Sequence, residues 1–317
     1  MTDSSHDRLP AVPPVVAAEQ LAREGETAIG TPPPEIPGRE RGERTRRLIV
    51  YVILFLVALL FFVPFFWSVS TSLKTLPESV GFNLLPKHPS LHAYDNALTS
   101  FNFKRYLGNS FFIAGVVTLT NLFLSSLGGY AFARLRFPGR EALFFLVLGT
   151  LMIPNELRLV PVFQMLTSFP VLHVSLIGTY QGYFIINLVS ATSLFLMRQY
   201  FLTIPKDYEE AAKLDAAGYF KTYWRVMLPL AGPALAAITI LTFQGTWNDF
   251  FWPLVIFLGN QDLYTLPLGI FQFKTQYATQ WPELMAASVI AIIPIAAIYV
   301  FFQRYFVAGV TAAGVKG

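Results

Sequence analysis

The chain has 317 residues, 54% hydrophobic and 13% charged, with 30 Phe and a net charge of +4. A soluble domain carries about a quarter charged residues, so lipid must meet much of this surface. The charge is modest and forms no basic stripe interleaved with aromatics, so no nucleic-acid partner is expected. Zero Cys excludes disulfides and thiolate metal sites, and the scattered His6, His88, His92 and His173 argue against a histidine metal site.

Residues 1–47 are polar, rich in Pro and charge, and end in Arg39-Glu-Arg-Gly-Glu-Arg-Thr-Arg-Arg47. They can bury too little apolar surface to offset the entropy of ordering, which predicts a disordered tail. No small-residue cleavage site follows the first apolar run, so that run is expected to stay as an anchor. Leu48 to Trp67 carries no charge and is long enough to cross a bilayer, giving a first helix over about 48–73. A polar loop with Pro77, Pro86 and Pro89 leads to a second helix over 110–132, where Gly115, Gly128 and Gly129 permit close helix contact.

The third helix, 142–163, is interrupted by Pro154, Glu156, Arg158 and Pro161. Bare backbone polar groups are costly in lipid, so the break must sit at the bilayer edge or face protein or water. A plain helix end and a place on a translocation path are both open. The fourth helix, 176–196, carries Tyr180, Gln181, Asn187, Ser190 and Thr192, either for helix packing or to line a polar path. The fifth, 230–258, would be ~43 Å long and must tilt, bend at Pro253 or protrude. It carries Gln244, Thr246, Trp247, Asn248 and Asp249, and a sixth helix spans 284–302. The expected fold class is all-α, a polytopic membrane protein with six transmembrane helices.

Lys and Arg gather on the side that holds the tail, the 134–140 loop and the 199–229 loop. The opposite side has Lys74, Lys87, Lys104, Arg105 and Lys274. This bias places the tail, the 199–229 loop and the C-terminus in the cytoplasm. Within that loop, Pro205 to Gly218 reads as a short polar helix. Asp207 and Glu210 have capping-box spacing, Glu209 and Lys213 can pair at i, i+4, and Gly218 is the expected stop. Ala211, Ala212, Ala216 and Ala217 give it a smooth face.

No GxxxxGK[ST] loop, GxSxG elbow, HExxH or CxxC occurs, so the chain offers no catalytic constellation and no phosphate cradle of its own. Energy for moving a solute would have to come from a partner or an ion. Mid-helix charges are almost absent and no clear repeat is present, which argues against an ion-coupled carrier. A membrane scaffold that tethers a soluble partner remains as a different class.

Glu210-Ala211-Ala212 followed by Val226-Met227-Leu228-Pro229 resembles the EAA loop of ABC importer permeases. Ala216 stands where that loop usually has glycine, and Val226 where it has isoleucine. The string Trp247-Asn248-Asp249-Phe250, with Trp252-Pro253-Leu254, looks like helix 5 of carbohydrate importer permeases. The ending Gly309-Val-Thr-Ala-Ala-Gly-Val-Lys-Gly317 resembles the maltose-permease type. The resemblance implies a coupling helix that docks on a separate ATPase through Glu209, Glu210, Ala211, Ala212, Asp215, Gly218, Leu228 and Pro229. It implies a second ATPase contact at Gly314, Val315, Lys316 and Gly317. Asn187, Gln244, Trp247 and Asn248 are the expected substrate-path residues. Implied partners are a second, homologous permease, two ATPase subunits and an extracytoplasmic solute-binding protein. ATP and Mg would sit on the ATPase, with no cofactor on this chain. The implied cargo is a sugar or oligosaccharide, the alternative being a non-sugar solute such as glycerol phosphate.

Overall fold

The computed structural model describes residues 39–99, 102–170, 173–274 and 279–314, with side chains from 44 to 303. The described residues up to Phe62 and those from Val63 onward fall into separate units. The helices are α1 (Arg39–Ser72), α2 (Leu76–Ser79), α3 (His92–Thr99), α4 (Phe103–Arg134), α5 (Arg140–Gly149), α6 (Leu159–Thr167), α7 (Tyr180–Asn187) and α8 (Ala191–Thr203). They continue with α9 (Asp207–Leu214), α10 (Tyr219–Thr222), α11 (Leu228–Leu230), α12 (Gly232–Trp247), α13 (Phe251–Ile256), α14 (Leu266–Phe271) and α15 (Trp281–Gly314). Among the described residues there is no strand, and one isolated bridge joins Lys274 to Thr279. The all-α expectation therefore holds. Among the described residues, four helices are long and apolar enough to cross a membrane, or up to six if each of two bent pairs is one span.

In the first unit, the described residues belong to α1. The helix begins at Arg39, so residues 39–47 are helical rather than part of a disordered tail. The apolar run beyond them lets helix propagate backward from an established turn. Residues 1–38 lie outside the described residues. The side chains of Leu48 to Val63 are all exposed, apolar surface that is stable against lipid or protein rather than water.

In the second unit α4 is the central post, packed by α8, α12 and α7. Gly129 makes the α4–α8 approach possible: a Cβ there would lie 2.5 Å from Met197 Cβ and 2.9 Å from the Arg198 nitrogen. Gly115, expected to do the same, faces open space. A second core joins α12 to α15. There Trp247 stacks on Phe243 at 5.5 Å and donates its indole N–H to the Ala291 carbonyl at 3.1 Å.

The spans are more broken than the apolar runs suggest. The third is α5 and α6, bent by 100° through short 3-10 turns at Thr150–Met152 and Asn155–Arg158. The fourth is interrupted between Asn187 and Ala191, where Ser190 caps α8 by accepting from the Ser193 N–H. The fifth does not run to 258 or bend at Pro253. It ends at Trp247, and the Asp249 carboxylate accepts the Trp252 N–H at 3.2 Å to start α13. The sixth is longer than expected and runs from Trp281.

Candidate functional site: the elbow and the polar cavity

The 199–230 segment is an elbow of three short helices and a π-helical turn, Tyr223–Met227. Asp207 is the first residue of α9 rather than its cap. Lys206 precedes the helix in helical conformation, makes no side-chain cap, and its carbonyl accepts the Glu209 and Glu210 N–H groups. The capping box therefore does not form. Nor does Glu209 pair with Lys213. Its carboxylate lies 3.6 Å from the Arg134 guanidinium, with the two side chains 14% and 6% exposed.

Arg134 closes the last turn of α4 and clasps the end of α8. Its Nη2 donates to the Phe201 carbonyl at 2.5 Å and to the Ile204 carbonyl. Both lie at the end of the helix, where the last carbonyls lack i+4 partners; that of Phe201 also accepts the Ile204 N–H at 3.3 Å. One guanidinium thus ties three elements: its own helix, the C-terminus of α8, and α9. Around it, Tyr130 packs on Phe201 and Tyr223, and the Tyr223 and Ser126 hydroxyls are 2.7 Å apart.

α9 stops at Leu214, not at Gly218. Ala216 takes φ 51°, the Ala217 N–H bonds the Ala212 carbonyl at 2.9 Å, and the Ala216 N–H bonds the Lys213 carbonyl at 3.0 Å. This is a Schellman ending with alanine at the left-handed position. The place where the family usually has glycine is therefore the place where glycine would be unstrained. Gly218, at φ −70°, instead precedes α10.

The alanine face divides. Ala212 is 7% exposed, turned in where α9 packs on α10 and the π-helical turn, so it is not available to a partner. Glu210, Ala211, Asp215, Gly218 and Pro229 are exposed, and Leu228 is half-buried. Large apolar groups join them on the outside: Leu214, 89% exposed, with Tyr208, Tyr219, Phe220 and Trp224. The Phe220 and Trp224 rings stack at 6.3 Å. The four-residue spacing of Phe220 and Trp224 was the available signal. Gly314 closes α15, while Val315, Lys316 and Gly317 lie outside the described residues.

A cavity of about 810 Å³ is walled by the third, fourth and fifth spans, with Asn121 of α4. Asn155, Arg158, Asn187, Thr192 and Thr246 give it a polar lining. A side chamber of about 290 Å³ shares Asn155, Arg158 and Asn187 with it and adds Asp249 and Trp252. The volume falls in the range of small-molecule sites, and the broken backbone at 188–190 faces it, where irregular chain is tolerated within a membrane. Of the four expected path residues only Asn187 reaches the cavity. Trp247 is 1% exposed and is a packing residue, while Gln244 and Asn248 are exposed outside it. Arg158, Thr192 and Thr246 were visible as polar breaks in apolar spans, but their convergence is a long-range fact of packing.

Three comparisons bear on the chain. The arabinooligosaccharides transport system permease protein AraQ of Halalkalibacterium halodurans is 40% identical over 233 residues, 72% of this chain and 81% of that protein. The trehalose/maltose transport system permease protein MalG of Thermococcus litoralis is 33% identical over 282 residues, 87% and 99% of the two chains. A chain in the crystal structure of a bacterial ABC transporter that imports the acidic polysaccharide alginate superposes with a TM-score of 0.73 at 25% identity, covering 86% of this chain and 100% of that one. The model of the binding-protein-dependent transport system inner membrane component family matches residues 125–312, from the second half of α4 through the elbow into α15, and the chain belongs to that family.

Proposed function

We propose that this chain is one permease subunit of an importer that carries a sugar or oligosaccharide into the cytoplasm. A second, homologous permease subunit completes the path, two ATPase subunits holding ATP and Mg drive it, and an extracytoplasmic binding protein delivers the cargo. The observation that carries the reading is the elbow. It is a short polar helix with an exposed apolar rim of Tyr208, Leu214, Tyr219, Phe220 and Trp224, fixed to α4 and α8 by Arg134. Such a rim on a rigid base suits a docking surface.

In this mechanism the ATPase dimer closes on ATP and moves α9 as a rigid body. Arg134 passes the motion to α4 and α8. α8 begins at the cavity, so the cavity switches the side to which it opens. Glu210, Ala211, Asp215, Gly218, Leu228 and Pro229 remain in the docking surface with the apolar rim, and residues 314–317 remain a second ATPase contact. The cargo class rests on the names of the relatives and on the amide- and hydroxyl-lined cavity.

The test is reconstitution. Proteoliposomes holding the permease pair, the ATPase and the binding protein should take up a labelled arabino- or malto-oligosaccharide only with ATP inside. Leu214→Cys, in a chain without native cysteine, should react with impermeant thiol reagents only from the cytoplasmic face. Uptake by the permease without ATPase, or labelling from outside, would overturn the reading.

A further inference from the structure

We infer that the side chamber around Arg158 and Asp249 is a cargo subsite on this subunit, built for a neutral sugar residue rather than an anionic one. The inference rests on the importer reading above and narrows its cargo chemistry. Among the residues lining the cavity and the side chamber, Arg158 is the one cation and Asp249 the one anion. Charged side chains inside membrane spans normally pair. These two share a chamber of about 290 Å³, yet among the described residues no ion pair joins them.

Each has hydrogen-bonding capacity left. The Arg158 Nη2 donates to Asn155 Oδ1, while its Nε is buried without a partner. Asp249 accepts from the Tyr183 hydroxyl at 2.7 Å and from the Trp252 N–H at 3.2 Å. A carboxylate offers about four lone-pair sites, and with the Phe251 N–H also bonded to it acceptor capacity still remains. A separated donor and acceptor of opposite charge suit neighbouring hydroxyls, which can give to the carboxylate and receive from the guanidinium. Both bonds are charge-assisted. Asn187 adds an amide to the same wall, and Trp252 an aromatic ring. An anionic sugar would satisfy Arg158 but would be repelled by Asp249 in the same small chamber.

The experiment uses the assembled transporter with cysteine-free partner subunits. A Cβ at Gly245 meets nothing within 4 Å, and Gly245 lines both chambers, so Gly245→Cys places a single thiol at the subsite. An arabino-oligosaccharide mixture should slow labelling of that thiol by a methanethiosulfonate reagent severalfold, and an oligouronate mixture should not. Arg158→Gln and Asp249→Asn should each lower kcat/KM for arabino-oligosaccharide uptake by about ten- to a hundredfold at equal membrane levels, the loss of one or more charge-assisted bonds. If Asp249→Asn fails to assemble, because Tyr183 and Trp252 lose their acceptor, Arg158→Gln and the protection assay decide. Normal wild-type uptake with no protection and unchanged Arg158→Gln kinetics would overturn the subsite and leave the importer reading standing. Equal protection by oligouronates would overturn its neutral preference. Absence of any carbohydrate uptake by the wild-type transporter would overturn the importer reading and the subsite with it.

Discussion

Arg134→Ala should release the elbow while leaving the membrane body folded. The side chain is 6% exposed and its partner Glu209 14% exposed, so solvent screens the pair weakly. At 3.6 Å and an effective dielectric of about 20, the attraction is about 4–5 kcal/mol before desolvation. Removing one partner of a buried pair costs about 3–5 kcal/mol net. Losing the bonds to the Phe201 and Ile204 carbonyls adds about 1.5–3 kcal/mol each. An eight-residue helix such as α9 has no stability of its own. We therefore expect the free energy of opening α9 to fall by at least about 4 kcal/mol. Amide exchange over residues 205–216 should accelerate by about a thousandfold, at tenfold per 1.4 kcal/mol. Hydrogen–deuterium exchange on the detergent-solubilised permease, before ATPase is added, measures this. Glu209→Gln breaks the same buried pair but leaves the carbonyl clasp in place, so it should accelerate the α9 amides by at least about a hundredfold while leaving exchange at residues 201–204 unchanged. A change below about threefold over 205–216 in Arg134→Ala, or equal effects of the two variants on residues 201–204, would refute the clasp.

Three further outcomes are expected. Ala216→Gly should raise the melting midpoint of the purified complex by relieving a left-handed alanine, a gain of about 1 kcal/mol, whereas Ala216→Val should lower it; the reverse order would contradict the Schellman ending. Leu214→Glu combined with Phe220→Ala should reduce ATPase co-purification by at least about tenfold with unchanged permease levels, because both side chains are exposed; intact co-purification would place docking elsewhere. Gly129→Ala should destabilise by about 1–3 kcal/mol, since α8 must move to admit the new carbon, while Gly115→Ala is silent; immunoblots of membrane levels and detergent melting curves compare the two.

What was readable in the residues was what depends on local composition. Uncharged apolar runs announced the spans, and the Glu210-Ala211-Ala212 string announced the elbow. Features set by distant partners were hidden. Glu209 had a plausible partner in Lys213 one turn away, but Arg134, far back in the chain, supplies a drier and better-placed charge. Trp247 sits in a string that suggested a path, yet its indole is held by the Ala291 carbonyl of another helix. The stop at Ala216 breaks a local rule, since alanine is a strong helix former. It is set by the close of the Schellman bonds rather than by side-chain preference. The cavity could be suspected from Arg158 and Asn187, but not assembled, because its walls come from separate spans.

α8 is thirteen residues long, about 20 Å of continuous rod. Thr192 and Ser193 near one end wall the chamber, and Phe201 near the other is gripped by Arg134. A rod with no joint cannot be re-angled at one end alone. Widening the chamber for a bulkier cargo by swinging α8 would misalign the drive surface. Lineages that change diet are therefore expected to exchange side chains along its first turn and to keep its axis fixed.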